Sequence, residues 1–376
     1  MTELTGSTVY VLGAGASYHT GAPLLADFLL KARLLKEGKR TLIHRASYDR
    51  VFAWIDILRA ASYYVEFDLD NLEHVFSLAE LTAQLEMEES EQRITDLRWV
   101  IVETLDTLQL KIESTRILPE PTYASFADKV RRLNEERANR VRPEDRPLLE
   151  KDAVVTFNYD VMLDYAMRFQ GMGPEYWVTP ARPGFLLLKL HGSTNWAVCG
   201  ECKADLQVVS ISPVAEGYSL RPLFPGDVGS IEFAMATSVL PKTKCARCQK
   251  TEVLEPFIIP PTWSKRVAKS PLVRVWTSAV QALKSASQIV VVGYSLPNTD
   301  TFFQYLLTLG LASNPQLQRV VVVDVDRTEG FQERYRRVFS RSLDARKRLK
   351  FLTGTTFQQF VQDHMERVAT YVEWTT

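Results

Sequence analysis

The stretch VYVLGAGAS, residues 9–17, decides the fold class of this chain. Four apolar residues run directly into a loop of glycine, alanine and serine, a pattern typical of a buried parallel strand, a tight turn and a helix. Small residues at such a turn let the backbone approach a pyrophosphate, and the N-terminus of the following helix offers N–H donors. The loop matches only the first part of the dinucleotide fingerprint, so a tight turn explains it nearly as well.

Five further apolar runs bounded by turn residues are predicted to be strands of the same sheet. Segments with helical spacing separate them, which predicts an α/β protein with a doubly wound, Rossmann-like parallel sheet. Thr299 and Asp300 are predicted to cap the helix that follows the fourth strand. The six predicted strands are 8–12, 153–157, 185–190, 288–292, 320–325 and 350–352.

Two long stretches exceed what a minimal sheet domain needs. Residues 24–150 are rich in Leu, Ala, Glu, Lys and Arg at helical spacing, which predicts an inserted helical subdomain. Residues 196–261 lack a helical pattern and hold all four cysteines, which predicts a small module. The segments 1–23, 151–195 and 262–376 are assigned to the Rossmann-like domain.

The cysteines form two C-x-x-C pairs, Cys199 with Cys202 and Cys245 with Cys248. This spacing lets two thiolates of one turn ligate one metal, and four sulfurs complete a closed, structural zinc site. The gap between the pairs is longer than the spacing of about 15–20 residues common in such sites. Four unrelated buried thiols, or a redox role for one pair, are the alternatives.

Composition and charge exclude several classes of protein. The chain has 376 residues, 46% of them hydrophobic and 24% charged, which is ordinary for a globular protein and excludes a disordered or fibrous one. Lys+Arg and Asp+Glu are both 45, and this balance argues against direct nucleic-acid binding through bulk positive potential. No apolar run approaches the roughly 18–20 residues of a membrane span, and the first 17 residues lack the basic and apolar regions expected of a secretory signal. We therefore expect a cytoplasmic protein with no membrane partner.

Polar motifs follow three of the predicted strands. TFNYD (156–160) follows the second strand, LHGS (190–193) the third and GYSL (293–296) the fourth. The carboxyl ends of parallel strands meet at one edge of an open α/β sheet, where such sheets bind ligands. A histidine, an asparagine and an aspartate are therefore predicted to converge on one crevice.

These motifs resemble the sirtuin family in order as well as in content. TFNYD stands where sirtuins carry a TQNID-like segment, LHGS and the two cysteine pairs follow, and GYSL stands where sirtuins have a GTS-like turn. The match spans roughly residues 9–326, with the helical insertion interrupting it. The resemblance implies an NAD-binding Rossmann-like domain with a structural Zn²⁺.

The resemblance also implies roles for individual residues. His191 resembles the catalytic general base, Asn158 the residue that orients the nicotinamide ribose or a water, and Asp160 a residue that helps hold the site. A core histidine is the alternative for His191, a helix cap for Asp160, and a plain strand-end carboxylate for Asp324. The residues expected to contact NAD⁺ are Gly13, Ala14, Gly15, Ser17, Gly293, Ser295 and Asp324.

The chain departs from protein-deacylating sirtuins at two motifs. Residues 21–26 read GAPLLA in place of GIPDFR, with Asp27 and Phe28 shifted and no arginine, and Phe157 replaces the glutamine of TQNID. With its large insertion, the chain looks more like the divergent sirtuin-like domains of bacterial antiphage defence, which cleave NAD.

This closer resemblance implies a particular activity and particular partners. The activity is that of an NAD⁺ glycohydrolase that depletes NAD in abortive infection. The implied partners are further copies of the chain, a HerA-type ring ATPase or an Argonaute-like sensor. An NAD-dependent protein-lysine deacylase is one alternative, favoured by the zinc module. A non-catalytic module that senses NAD or ADP-ribose, or serves as a scaffold, is the other.

Overall fold

The computed structural model describes residues 6–38, 42–106, 109–113, 116–142, 144, 151–176, 184–203, 206–209, 230–232, 240–259, 271–297, 301–339, 343 and 348–369. The predicted cap at Thr299 and Asp300 lies outside these residues. In chain order the strands are β1 (Ser7–Leu12), β2 (Gln109–Glu113), β3 (Arg116–Leu118), β4 (Ala153–Thr156), β5 (Pro174–Glu175), β6 (Phe185–Lys189), β7 (Gly192–Cys199), β8 (Gln207–Val208), β9 (Ser230–Glu232), β10 (Leu254–Ile258), β11 (Ala286–Val292), β12 (Arg319–Asp324) and β13 (Leu349–Thr353).

The helices surround these strands. They are α1 (Phe28–Glu37), α2 (Arg45–Arg59), α3 (Leu72–Gln84), α4 (Ser90–Leu105), α5 (Pro121–Asn139), α6 (Met162–Phe169), α7 (Val273–Ser285), α8 (Thr301–Leu311), α9 (Glu329–Val338), α10 (Phe357–Gln359) and α11 (Met365–Ala369). A π-helical turn, Phe360–His364, joins the last two, and 3₁₀ turns cover Ala14–Ala16, Tyr18–Thr20 and Ala60–Tyr63. Within the described residues, none of the helices has both the length and the apolarity to cross a membrane.

A seven-stranded parallel sheet in the order β13-β12-β11-β1-β4-β6-β5 confirms the predicted fold class. Helices cover both faces, so β1, β4 and β11 are buried along their whole length and show continuous apolar runs. The chain leaves β1 toward β4 but leaves β11 toward β12, in the opposite direction across the sheet. The point between β1 and β11 is therefore the topological switch point, where open sheets of this kind bind ligands.

Two hydrophobic cores divide the molecule. One surrounds the parallel sheet and includes residues of α5 to α11. The other joins α1 to α4 with β7, β10 and the cysteines, so the helical layer and the cysteine module share one interior. Two three-stranded sheets, β10-β7-β8 and β3-β2-β9, complete the structure.

Helix α5 packs on the sheet although it lies within the predicted insertion, residues 24–150. Its buried side chains Tyr123, Phe126 and Val130 belong to the core of the sheet, and the Phe126 ring meets Tyr10 of β1 edge-on at 5.2 Å. Helical spacing predicts which face of a helix is buried but not which partner it packs against. The packing thus separates α1–α4 from α5, and α5 reaches the carboxyl edge of the sheet.

Candidate active site

The glycine loop after β1 packs against the loop after β11 at the switch point. The Gly13 amide donates to the Val292 carbonyl at 3.0 Å, and the Gly15 amide donates to the Gly293 carbonyl at 2.9 Å. A Cβ at Gly13 would lie 2.5 Å from the Gly293 oxygen, and one at Gly293, where φ is +61°, would lie 2.5 Å from the Ala16 nitrogen. Close approach of the two loops therefore explains these glycines within the fold itself.

Asn158 and His191 follow the ends of two neighbouring strands. Thr156, the last residue of β4, is paired with Lys189, the last residue of β6. Asn158 stands two positions after Thr156, and His191 stands two positions after Lys189. Parallel strands lie about 4.8 Å apart. The two side chains are therefore carried by adjacent strand ends, as the motifs predict.

The Asn158 side chain is anchored to the glycine loop. Its Nδ2 donates to the Gly13 carbonyl at 2.9 Å and to Ser17 Oγ at 2.9 Å. Because a carbonyl oxygen only accepts hydrogen bonds, these contacts fix which end of the amide faces the loop. A ligand would therefore meet the Asn158 side chain at Oδ1.

Ser17 is the hub of a buried hydrogen-bond network. Its hydroxyl donates to Asp160 Oδ2 at 2.8 Å and accepts from Asn158, and the Tyr123 hydroxyl lies 2.7 Å away. Since the carboxylate takes the serine hydrogen, Tyr123 is the donor in the last contact. Burial, with the nearby Asp160 charge, raises the pKa of Tyr123 well above its usual value, which keeps the phenol protonated. Ser17 is 1% exposed, so its hydroxyl serves the protein interior.

The Asp160 carboxylate contacts both the start of α6 and the Ser17 hydroxyl. Its Oδ1 accepts the amide of Met162 at the first turn of α6, at 3.1 Å, and its Oδ2 accepts from Ser17. Asp160 thus contacts the first residue of α6 from the position before the N-cap residue, Val161, and Ser17 links the same carboxylate to Asn158. Both oxygens of this buried carboxylate have partners in the protein.

His191 is buried at the end of β6 against aromatic rings. Its imidazole meets the Phe157 ring edge-on at 5.2 Å, and its carbonyl accepts the Ile259 amide at 2.8 Å. Phe157 stacks on Tyr294 at 4.6 Å, and Phe303 meets both rings edge-on. The phenylalanine in place of a glutamine thus joins an aromatic cluster that links the loops after β4 and β11.

Two of the residues predicted to contact NAD⁺ lie near the ends of β11 and β12: Ser295 follows β11, and Asp324 is the last residue of β12. Ser295 is exposed, and its carbonyl accepts from Arg334 Nε at 3.1 Å. Asp324 is half-buried at the end of β12, where its Oδ1 accepts the Asp326 amide at 2.9 Å. Burial raises the pKa of the Asp324 carboxyl. This local turn accounts for a strand-end carboxylate, and a ribose contact by Asp324 stays a prediction.

The four cysteines converge on one point. Their sulfurs all lie within 4.8 Å of one another, with Cys199 to Cys248 at 3.8 Å and Cys202 to Cys245 at 3.6 Å. A tetrahedron with Zn–S bonds of 2.3 Å has edges of about 3.8 Å, so the cluster fits Zn²⁺. Hydrogen bonds from backbone amides lower the pKa of the Cys245 thiol to about 6, and the Cys248 amide makes the largest contribution. The lowered pKa favours the thiolate that a metal requires.

The turns after each cysteine pair have the same backbone form. Lys203 and Gln249, the residues that follow Cys202 and Cys248, have φ of +49° and +61°. The Cys202 amide also points at Cys199 Sγ at 3.4 Å. Two equivalent turns thus present the two thiol pairs to one position.

Comparisons with known proteins find distant structural likeness. No family model matches the chain, and no curated protein matches it. A Sir2 homologue mutant bound to 2′-O-acetyl ADP-ribose is 15% identical, with a TM-score of 0.44 over 98% of this chain and 94% of that one. A Sir2 homologue in complex with NAD is 14% identical, with a TM-score of 0.43 over 96% and 90%.

A third solved structure, Sir2Tm bound to a propionylated peptide, is 14% identical, with a TM-score of 0.38 over 96% of this chain and 92% of that one. In this chain, the strand order shows the parallel sheet and the sulfur distances show the four-cysteine cluster.

Proposed function

We propose that this chain hydrolyses NAD⁺ to nicotinamide and ADP-ribose at the carboxyl edge of the sheet. The observation that carries the proposal is the placement of Asn158 and His191 on the paired ends of β4 and β6, beside the glycine loop at the switch point. The sirtuin-like order of the motifs supports NAD⁺ as the ligand of this edge.

The reaction breaks the bond between the nicotinamide nitrogen and C1′ of the ribose. The electron pair of that bond leaves with nicotinamide, positive charge develops on the ribose, and the oxygen of a water adds to C1′. Stabilising developing charge and orienting the water are the tasks of the protein. His191 accepts the proton of the water or of a ribose hydroxyl, the general-base role that a histidine side chain most often fills in enzymes.

Asn158 orients the reacting groups in this proposal. With Nδ2 held by Gly13 and Ser17, Oδ1 accepts a hydrogen bond from the water or from a ribose hydroxyl. Asp160 and Tyr123 hold Ser17 and act on the reaction only through Asn158. They are positioning residues, because they touch Ser17 rather than the reacting atoms.

Zn²⁺ would be held by the four cysteines and would supply structural cross-linking only, since a closed four-sulfur site leaves no position for substrate. The cysteine cluster joins the end of β7 to the end of the loop before β10. Because β7 begins directly after His191, the module supports the site from one side.

A second candidate is an NAD-dependent protein deacylase. It is favoured by β7, which runs from Gly192 beside His191 to Cys199 of the cysteine cluster and pairs with β10. The zinc module of sirtuins borders their peptide cleft, so an acylated peptide could lie along this face. The altered GAPLLA segment and the helical layer favour hydrolysis instead.

The biological role that we propose is NAD depletion in bacterial antiphage defence, in the cytoplasm. The resemblance to defence-associated sirtuin-like domains supports it. It also supports assembly into a homo-oligomer and a partner such as a HerA-type ATPase or an Argonaute-like sensor.

Incubating the purified protein with NAD⁺, with and without an acetylated peptide, separates the candidates. Nicotinamide release without peptide supports hydrolysis, and release only with peptide supports deacylation. Absence of release under both conditions, in every oligomeric form, would contradict both and favour a sensing module.

A further inference from the structure

Lys189 places a charged group in the interior beneath the candidate site. It is the last residue of β6, two positions before His191, and its side chain is 1% exposed. A buried ammonium is costly unless its hydrogens are paired. Its partners therefore show what the structure gains from the charge.

The Lys189 ammonium has three contacts, all on the segment that follows β4. It is paired with Asp164 Oδ2 on α6 at 3.0 Å, donates to the Asp160 carbonyl, and lies 3.5 Å from the Tyr159 carbonyl. The other oxygen of Asp164 accepts from the Tyr176 hydroxyl. An ammonium has three hydrogens, and these contacts use all of them.

The contacts fix the backbone at Tyr159 and Asp160, the two residues that follow Asn158. The Tyr159 carbonyl also accepts the Thr194 amide at 3.0 Å and the Ser193 hydroxyl at 3.2 Å, both from the start of β7. The segment after β4, which carries Asn158, is thus joined to the segment after β6, which carries His191. Lys189 lies at the junction.

Stability alone does not require this arrangement. Replacing a buried ion pair by apolar residues of similar volume is often neutral or stabilising, whereas the geometry of the pair is lost. A displacement of about 1 Å at a reacting group can lower a rate by about 10²-fold. We infer that Lys189, fixed by Asp164 and Tyr176, is a positioning residue that sets Asn158 relative to His191; this role in catalysis rests on the proposed NAD⁺ cleavage.

The test removes both charges together. In the Lys189→Met/Asp164→Leu variant we expect a folded protein whose kcat for nicotinamide release falls by about 10²-fold with KM nearly unchanged. Hydrogen exchange of the amides in 157–165 should become faster, because the carbonyl contacts are lost. A folded variant with kcat within about twofold of wild type overturns the inference, given the size of the expected loss.

Two further measurements keep the result decisive. A control variant, Arg50→Met/Asp96→Leu, removes another buried carboxylate and its half-exposed partner from the α2–α4 contact and should change stability but not kcat. If the Lys189 double variant does not fold, Tyr176→Phe keeps both charges and removes the hydrogen bond to Asp164 together with the contact to the Asn195 side chain. Tyr176→Phe should then lower kcat and speed exchange in 157–165, and no change in either would overturn the inference.

Failure of the proposed function would be visible separately. If wild-type protein releases no nicotinamide, NAD⁺ hydrolysis fails, whereas the exchange measurement still reports on the contacts of Lys189. Unchanged exchange in both variants would overturn the positioning role whatever the activity of the wild type.

Discussion

The Ser17 hydroxyl donates its one hydrogen to Asp160 and accepts hydrogen bonds from both Asn158 and Tyr123. Tyr123→Phe removes the hydrogen bond from the phenol and leaves the Ser17 hydroxyl held by Asp160 and Asn158 alone. We expect a loss of about 0.5–1.5 kcal/mol in the free energy of unfolding, and a lower rate of NAD⁺ cleavage because Ser17, which accepts from Asn158, is held by one contact fewer. Urea unfolding and nicotinamide release measure the two effects.

Tyr48→Phe is the matched control for this prediction. Tyr48 is also a fully buried tyrosine, and its hydroxyl is hydrogen-bonded to Thr104 at 3.0 Å in the helical layer. It should lose similar stability and keep its turnover. Equal turnover in the two variants would contradict a link between Tyr123 and Asn158.

The residues of the candidate site differ in how well the sequence predicts their positions. Ser17, Asn158, Asp160 and His191 follow apolar strands directly, and the order of strands along the chain brings them to one edge. Tyr123 lies in a helix remote from those motifs, and helical spacing indicates only that it is buried. Phe157 likewise gives no sign in the sequence that it would stack on Tyr294 rather than face a ligand.

The cysteine module is predicted to depend on a bound metal for its stability. Metal analysis of the purified protein should give close to one Zn²⁺ per chain, because four sulfurs meet at distances that suit one ion. Cys245→Ser should lower zinc content and give an unstable or insoluble protein, since metal binding contributes folding free energy. A fully folded, metal-free wild-type protein would refute this prediction.

Lys250→Ala serves as the control within the same module. Lys250 is exposed and paired with Glu201, and exposed ion pairs contribute little to stability because water screens the two charges. The variant should keep its zinc and its stability. The C-x-x-C spacing predicted that the four cysteines converge on one point, whereas the shared core of the module and α1–α4 depends on tertiary packing, which no local pattern encodes.

At the scale of the whole molecule, assembly is expected to control activity. A constitutively active NAD⁺ hydrolase would harm its host, and the helical layer exposes large apolar side chains, among them Tyr63 at 85% and Tyr64 at 83%. Exposed apolar patches often mark interaction sites. Tyr63→Ser/Tyr64→Ser should therefore shift the protein toward monomers with lower turnover, measured by light scattering and nicotinamide release on the same fractions. Full activity in a dilute, strictly monomeric wild-type sample would contradict this dependence.

The measurement that tests the central claim most directly is NAD⁺ turnover by His191→Ala and Asn158→Ala. Each variant should lose about 10²–10⁴-fold in rate, as expected for a positioned acid–base or orienting group, while fold and zinc content stay unchanged. Asn71→Ala, which removes the cap that accepts the Glu73 amide at 2.9 Å at the start of α3, is the control. It should cost about 0.5–2 kcal/mol of stability and leave turnover nearly unchanged. Wild-type turnover by His191→Ala would contradict the proposed mechanism at this site.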